Sequence, residues 1–414
     1  MSKISWGLYL SILILLFSCA KDEKEDLAKN SGFLFQRLPS QETGVDFRNE
    51  LTETDSLNIL EYLYYYNGGG VAIGDINNDG LADIFFTSNQ EENRLFLNLG
   101  DMKFKDISNS SGITGNSDWN TGVTMADVNS DGYLDIYVLS VSGIKSLKGR
   151  NELFINNGDN TFTEAAQEYG IDLKNYGTSA AFFDYDNDGD LDLYVLNHAV
   201  HTDESFSPSN IRERRTESSG DKLFEFENGK FKDISEKAGI YGGPNAYGLG
   251  IATADLNNDG YTDIYISNDF HEDDYLYLNN GDGSFTEQMK DKMTQVSRFS
   301  MGSDIADINH DGFQDILTVD MLPEDETALK ASVGDEDINI LNLRMKYGYH
   351  RQFSRNMLQL NNDGENFQEI ALLSGIEATD WSWSPLFADY DLDGEKDLFV
   401  SNGIVRRPND LDYI

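Results

Sequence analysis

"FFDYDNDGDLDLYVLN", residues 182–197, sets five aspartates (Asp184, Asp186, Asp188, Asp190 and Asp192) into nine positions and then runs into alternating apolar residues. Like charges at that density repel one another unless a cation sits among them. The stretch is therefore either a solvated acidic loop or a cation site. The same pattern returns five times, as "DINNDGLAD" from Asp75, "DVNSDGYLD" from Asp127, "DLNNDGYTD" from Asp255, "DINHDGFQD" from Asp307 and "DYDLDGEKD" from Asp389. In all six, Asp holds positions 1, 5 and 9, Asn or Asp holds position 3, and Gly holds position 6. Six loops with the same five fixed positions define an internal repeat.

Each position has a task that calcium chemistry explains. Calcium takes six to eight hard oxygen ligands, whereas magnesium demands a tighter octahedron and keeps several waters, so calcium is expected. Positions 1, 3, 5 and 9 supply side-chain oxygens and position 7 a backbone carbonyl, while the glycine permits the sharp turn around the ion. The expected ligands are Asp75, Asn77, Asp79, Leu81 and Asp83 in the first loop, and Asp127, Asn129, Asp131, Tyr133 and Asp135 in the second. Asp184, Asp186, Asp188, Asp190 and Asp192 form the third set, and Asp255, Asn257, Asp259, Tyr261 and Asp263 the fourth. The fifth comprises Asp307, Asn309, Asp311, Phe313 and Asp315, and the sixth Asp389, Asp391, Asp393, Glu395 and Asp397. Six structural calcium ions follow, one per loop. An EF-hand is excluded, because it needs Glu at position 12, where this chain has Phe86, Val138, Val195, Ile266, Thr318 and Val400.

What flanks the loops decides the fold. After each ninth-position Asp comes a β-rich run such as "IYVLSV" or "LFVSN", and before each loop a segment of small residues such as "GGVAIG" or "GLGIATA". The loop thus joins the two strands of a hairpin. A second signature follows in most units: "RLFLNLGDMKFKDIS" (94–108), "ELFINNGDNTFTEAA" (152–166), "KLFEFENGKFKDIS" (222–235), "YLYLNNGDGSFTEQM" (275–289) and "NMLQLNNDGENFQEI" (356–370) each read as strand, turn, strand. Four antiparallel strands per repeat make a blade, so the expected fold class is all-β, a β-propeller of four-stranded antiparallel blades. The small-residue strand should be innermost, where sheets crowd around the axis.

The chain resembles the FG-GAP/VCBS-repeat propellers, a fold also found in the head of integrin alpha chains. Stretches such as "NGGGVAIGDINNDGLADIFF", "SMGSDIADINHDG" and "TDWSWSPLFADYDLDGEKDLFVSNG" more closely resemble the bacterial branch that carries an ASPIC/UnbV domain beyond the propeller. The likeness covers residues 32–414 and implies calcium at the loop positions already named. It also implies seven blades, yet six loops are present and the last is followed only by "SNGIVRRPNDLDYI". Two readings stand: a truncated chain that lacks the ASPIC/UnbV part, or a shortened six-bladed ring. "GFLFQRLPSQETGVDFRNEL" (32–51) resembles outer blade strands and could close the ring.

Charge and the N-terminus bound the setting. A net charge of −42 leaves nothing to neutralise phosphates, so no nucleic-acid partner is expected, and the membrane would be met only through an anchor. Disorder is excluded by an aromatic content of 12% and dense apolar runs. Residues 1–19, with Lys3 and an apolar stretch to Phe17, read as an export signal too short to span a membrane. The segment resembles a lipoprotein signal, with Leu16 and Ser18 preceding Cys19, the sole cysteine, as the acylated residue. The alternative is an ordinary cleaved signal. Residues 20–31 form an acidic tether, so the expected location is the outer membrane facing outward, with periplasmic or secreted forms as alternatives.

Two long spacings mark insertions at 198–221 and 321–356, either decoration of a binding face or mobile loops, and the second has helical spacing around "INILNLRMKYGY". Among leftover candidates, His198 and His201 form an H-x-x-H pair read as solvated or structural. The acidic "DFHEDD" (269–274) reads as a connecting turn, and His310, at loop position 4, as pointing outward with no role. "YLYYY" (62–66) and "WSW" (381–383) could stack sugars but fit core as well. No nucleophile elbow, zinc spacing or P-loop is found. The expected function is a calcium-stabilised surface module for binding, adhesion or protein interaction, with a protein or glycan partner and no catalytic or cofactor site. The alternative is a polysaccharide lyase or hydrolase whose cleft is the propeller mouth, which requires a carboxylate, His or Tyr cluster converging at one end of the channel.

Overall fold

A computed structural model describes residues 34–332, 338–407, 409 and 411; the export signal, Cys19 and the tether lie outside them. Five four-stranded antiparallel sheets follow one another along the chain, each with its strands in sequence order. Their inner strands are Val71–Gly74, Asn120–Ala126, Gly177–Phe183, Gly248–Ala254 and Gly302–Ala306, and a sixth unit contributes the pair Ser382–Ala388 and Asp397–Asn402. Consecutive inner strands lie against one another from the first unit to the sixth. They touch so closely that a Cβ on Gly122 would sit 2.3 Å from the Thr178 carbonyl oxygen, and one on Gly302 2.3 Å from that of Trp383. This crowding is why the innermost strand is built of small residues, as expected from the sequence.

Blades stack face to face, so their second strands are sandwiched. Asp135–Ser140, Asp192–Asn197 and Asp263–Asn268 are buried along their whole length. Five apolar cores fill the five gaps between successive blades; the one between the third and fourth joins Tyr194 and Leu196 to Ile264, Ile266 and Tyr275. On the outward faces of the first and sixth units the pattern lapses. Val71 and Ile73 are 56% and 66% exposed, and Leu386 and Phe399 51% and 47%.

Residues 34–50 are not the outer strands suggested by their sequence. Among the described residues this segment has only one helical turn, Ser40–Thr43, entered at Pro39 and ended by Gly44 in a left-handed conformation (φ 81°), which together break the extended run. It still bridges the first and last units: Phe35 meets Tyr390 edge-on at 5.5 Å, and Phe47 stacks on Phe86 at 4.6 Å. The next segment forms a plug, in which Leu57, Ile59, Tyr62, Tyr64 and Tyr65 pack with Trp119, Val141 and Tyr247.

The described parts of both insertions pack against each other and the fourth blade. Residues 203–213 form two 3₁₀ turns, and Ile338–Lys346 form the helix expected from the spacing. The two segments join through Ser209 N–H to the Tyr347 carbonyl (2.8 Å) and the Tyr349 hydroxyl to the Ser207 carbonyl (3.0 Å). Beneath them Arg212, 5% exposed, pairs with Glu272 (2.5 Å) and Asp273 (3.0 Å) and is ringed by Tyr241, Tyr275 and Tyr349. A buried cation so enclosed fixes both segments to the fourth blade.

Candidate metal centres

The six acidic loops share one conformation, each joining the inner strand of a blade to the second. Position 4 is left-handed in every loop (Asn78, Ser130, Asn187, Asn258, His310 and Leu392, φ 57–62°), as is the position-6 glycine (φ 86–96°). The second of these explains why glycine never varies there. In the first loop, Asp75 accepts from the N–H of Asp79 (3.1 Å) and of Gly80 (2.7 Å), Asn77 Oδ1 accepts from Asp79 N–H (3.1 Å), and Asp79 Oδ1 accepts from Leu81 N–H (2.9 Å). The same bonds recur from Asp127, Asp184, Asp255, Asp307 and Asp389. Positions 1, 3 and 5 thus share one hydrogen-bond pattern in all six loops.

The ninth position does something different. Asp83, Asp135, Asp192, Asp263 and Asp315 are at most 1% exposed. One oxygen of each accepts the N–H of loop position 2, at 3.0 Å in the first loop, and the other accepts an N–H of the third strand, such as Asn98 (2.7 Å), Phe226 (2.9 Å) or Asn279 (2.8 Å). Asp397 makes the first of these bonds, to Tyr390. These aspartates staple the loop to the blade as well as facing the loop centre.

Burial, opposed by those N–H donors and reinforced by the carboxylates at positions 1 and 5, pushes Asp135 up to about 6 and Asp263 to about 7. Burial, with Asp186 and Asp190 close by, pushes Asp192 to about 7. The third loop gathers carboxylate oxygens of Asp184, Asp186 and Asp188 within 4.8 Å of one another, and the sixth those of Asp389, Asp391 and Asp397. Beside the former, Asp190 presents a buried Oδ1 with no hydrogen-bond donor. A hard, oxygen-seeking dication fits such a donor set, since it would offset the burial that raises these carboxyls and the repulsion that adds to it.

Two repeated asparagine roles escaped the sequence reading. Position 4 reaches the next blade: Asn78 Nδ2 donates to the Gly132 carbonyl (2.9 Å), Asn187 to Gly260 (3.0 Å) and Asn258 to Gly312 (3.0 Å). His310 Nε2 lies 3.2 Å from the Glu395 carboxylate of the sixth loop, with both side chains largely exposed. Third-strand asparagines bind backward: Asn156 Nδ2 donates to the Ile76 carbonyl (2.8 Å) and Asn279 to Tyr185 (2.7 Å). Their signal was present as the Asn that ends "ELFIN" and "YLYLN" before each turn.

The other candidates fall into place as packing. His198 is fully buried, takes Tyr62 at Nε2 (2.9 Å), and is driven down to about 4 by burial, so it is neutral. His201 turns instead to the Tyr247 hydroxyl (2.6 Å), and the H-x-x-H pair shares no centre. In 269–274, Glu272 and Asp273 hold Arg212, and Asp274 accepts from Tyr265 (2.6 Å) and Asn268 N–H (2.8 Å). Tyr62, Tyr64 and His198 do converge at one end of the axial channel, a space of about 330 Å³. Burial raises both phenols far above their ordinary value.

Repeated blades, each carrying an acidic glycine-containing loop between its first two strands, define a propeller-type repeat protein. The chain belongs to the FG-GAP-like repeat family, whose model matches residues 62–138, 140–195, 215–266 and 255–318, more than half of its length. It is 32% identical over 210 residues to cartilage acidic protein 1 of Xenopus tropicalis, covering 49% of this chain and 29% of that protein, and 28% identical over 206 residues to the Homo sapiens protein of that name (49% and 28%). An 81-residue stretch is 37% identical to integrin alpha-3 of Mus musculus, covering 17% of this chain and 8% of that one. The chain thus matches less than a third of the length of these relatives. Among solved structures, the V. cholerae biofilm matrix protein Bap1 aligns with a TM-score of 0.37 at 12% identity over 73% of this chain and 39% of its own.

Proposed function

We propose that this protein is an exported adhesion or interaction module, anchored by a lipid on Cys19 and stabilised by calcium in its six loops. The observation that carries the reading is the loop set itself: six turns of one conformation with Asp or Asn at positions 1, 3, 5 and 9, three of them tied to the next blade by the asparagine at position 4. Asp, Asn and the position-7 carbonyls would hold the ions, which would supply rigidity rather than chemistry. Kinship with integrin alpha-3 and cartilage acidic protein 1 supports interaction as the role, and the leader of residues 1–19 supports export. We also place the chain in the ASPIC/UnbV-associated branch on the strength of its repeat sequences. Among the described residues no helix is long and apolar enough to cross a membrane, so attachment would rest on the lipid.

Calorimetric titration of calcium into chelator-stripped protein tests the core of this proposal. About six sites, weak enough to sit in the range of roughly 10⁻⁴ to 10⁻³ M typical of extracellular modules, are expected. Absence of binding heat and of thermal stabilisation refutes it. Metabolic labelling with a fatty-acid analogue, lost in Cys19→Ala, tests the anchor separately.

A further inference from the structure

The two aromatic runs that stood out in the sequence, 62–66 and 381–383, meet in space. Tyr64 and Tyr66 from the plug face Trp381 and Trp383 from the sixth unit across a cavity of about 410 Å³, within the size range of small-molecule sites. The remainder of the wall comes from the plug, from the ends of the fourth and fifth blades, including Asp269 and Arg298, from Leu322, Pro323 and Leu329 of the second insertion, and from Ile404 beyond the sixth unit. The cavity is separate from the acidic loops.

Two aromatic side chains of its wall bury a polar atom that has no hydrogen-bond partner. Trp381, 7% exposed, has a buried Nε1–H with no acceptor, and Tyr64, 5% exposed, has a hydroxyl without a well-aligned partner. Trp383 by contrast spends its Nε1–H on the Gly403 carbonyl at 2.6 Å, leaving its ring as an apolar wall. Asp269, 3% exposed, adds a carboxylate close enough to Tyr64 to raise its pKa further, and the Arg298 guanidinium lies 4.6 Å from the Phe299 ring centre. A buried indole N–H left open beside the Tyr64 hydroxyl and the Asp269 carboxylate, among flat aromatic faces, calls for a ligand that both accepts and donates hydrogen bonds and has apolar C–H faces. An ammonium ion can only donate. An acidic ligand would meet Asp269 and the field of a chain with net charge −42.

We propose that this cavity binds a neutral carbohydrate, with a pyranose face against Trp383 and hydroxyls on Trp381 Nε1 and the Asp269 carboxylate. The site gives the interaction module a glycan partner, and this inference rests on that reading only for the source of the sugar.

Two of the four tryptophans line the cavity, so intrinsic emission reports occupancy. Full-length protein in calcium is titrated with maltotriose, cellotriose, mannotriose, xylotriose and triacetylchitotriose, with trigalacturonate and choline as controls. At least one neutral trisaccharide is expected to shift the emission and to bind tenfold or more tightly than trigalacturonate. Trp383→Ala and Asp269→Asn should each weaken that binding about tenfold, and Trp381→Phe, which removes only the N–H, about threefold to tenfold. Calcium-dependent unfolding of each variant, measured in parallel, shows that the fold and loops are intact, so loss of sugar binding is distinguishable from failure of the calcium reading. Absence of saturable binding by every neutral probe, preference for choline or trigalacturonate, or binding unchanged in Trp383→Ala overturns the proposal.

Discussion

Two aspartates of one loop separate the metal role from the structural one. In the fourth loop Asp259 is exposed, whereas Asp263 is fully buried and accepts from Leu256 N–H at 2.9 Å and Asn279 N–H at 2.8 Å. Asp263→Ala strands both donors out of water, at about 1–3 kcal/mol each, offset in part by removal of a buried charge. The variant should therefore unfold at lower temperature even in chelator, by several degrees at about 2 °C per kcal/mol. Asp259→Ala leaves only water-accessible groups unpaired and should match wild type in chelator. In calcium the order of effects changes. A site filled to a hundred times its Kd contributes about 2.7 kcal/mol, and Asp259→Ala forfeits most of it for its own loop. Differential scanning calorimetry of the three proteins, with and without 10 mM calcium, gives both comparisons. If Asp259→Ala shows the full calcium stabilisation of wild type, the loop is not a calcium site; if Asp263→Ala matches wild type in chelator, the staple is wrong.

Acid should stabilise the metal-free protein. Burial raises Asp221 and Asp274, both far from the loop centres, to about 7, while unfolded carboxyls titrate near about 4. Between those values the folded state holds more protons, so this stability is full below about pH 4 and lost as the pH rises through 7; urea unfolding in chelator at pH 5.5 and 7.5 should give the higher midpoint at 5.5. Arg212→Met should cost about 3–5 kcal/mol by leaving Glu272 and Asp273 buried without their partner, and hydrogen exchange should quicken in 203–213 and 338–353 before the blades open. Equal exchange in the variant and wild type would show that the insertions are held by other contacts. Asn258→Ala removes one bridge between neighbouring loops, and a loss of about 0.5–1.5 kcal/mol in stability is expected by the same urea assay.

Much of the molecule is legible locally. The left-handed glycine, the alternation of apolar residues and the Asn/Gly/Asp turns act within a dozen residues, so blades, strand order and the conformation of all six loops can be read from spacing. The segment at 32–51 shows the limit of that reading: its apolar residues look like strand, but Pro39 and Gly44 interrupt it, and its packing on Phe86 and Tyr390 lies far along the chain. The contact of His310 with Glu395 is equally invisible locally, since Glu395 belongs to a different repeat.

From sequence alone, then, come the acidic loops, their glycines and the strand pairs they join, because backbone conformation and side-chain periodicity are properties of adjacent residues. Tertiary structure decided that the ninth aspartate of the first five loops is buried and bonded on both oxygens, that Arg212 pins two insertions together, and that Tyr64 faces Trp381 across a cavity. Those partners are separated by up to hundreds of residues and brought together only when blades stack around a common axis, a relation that no local pattern encodes.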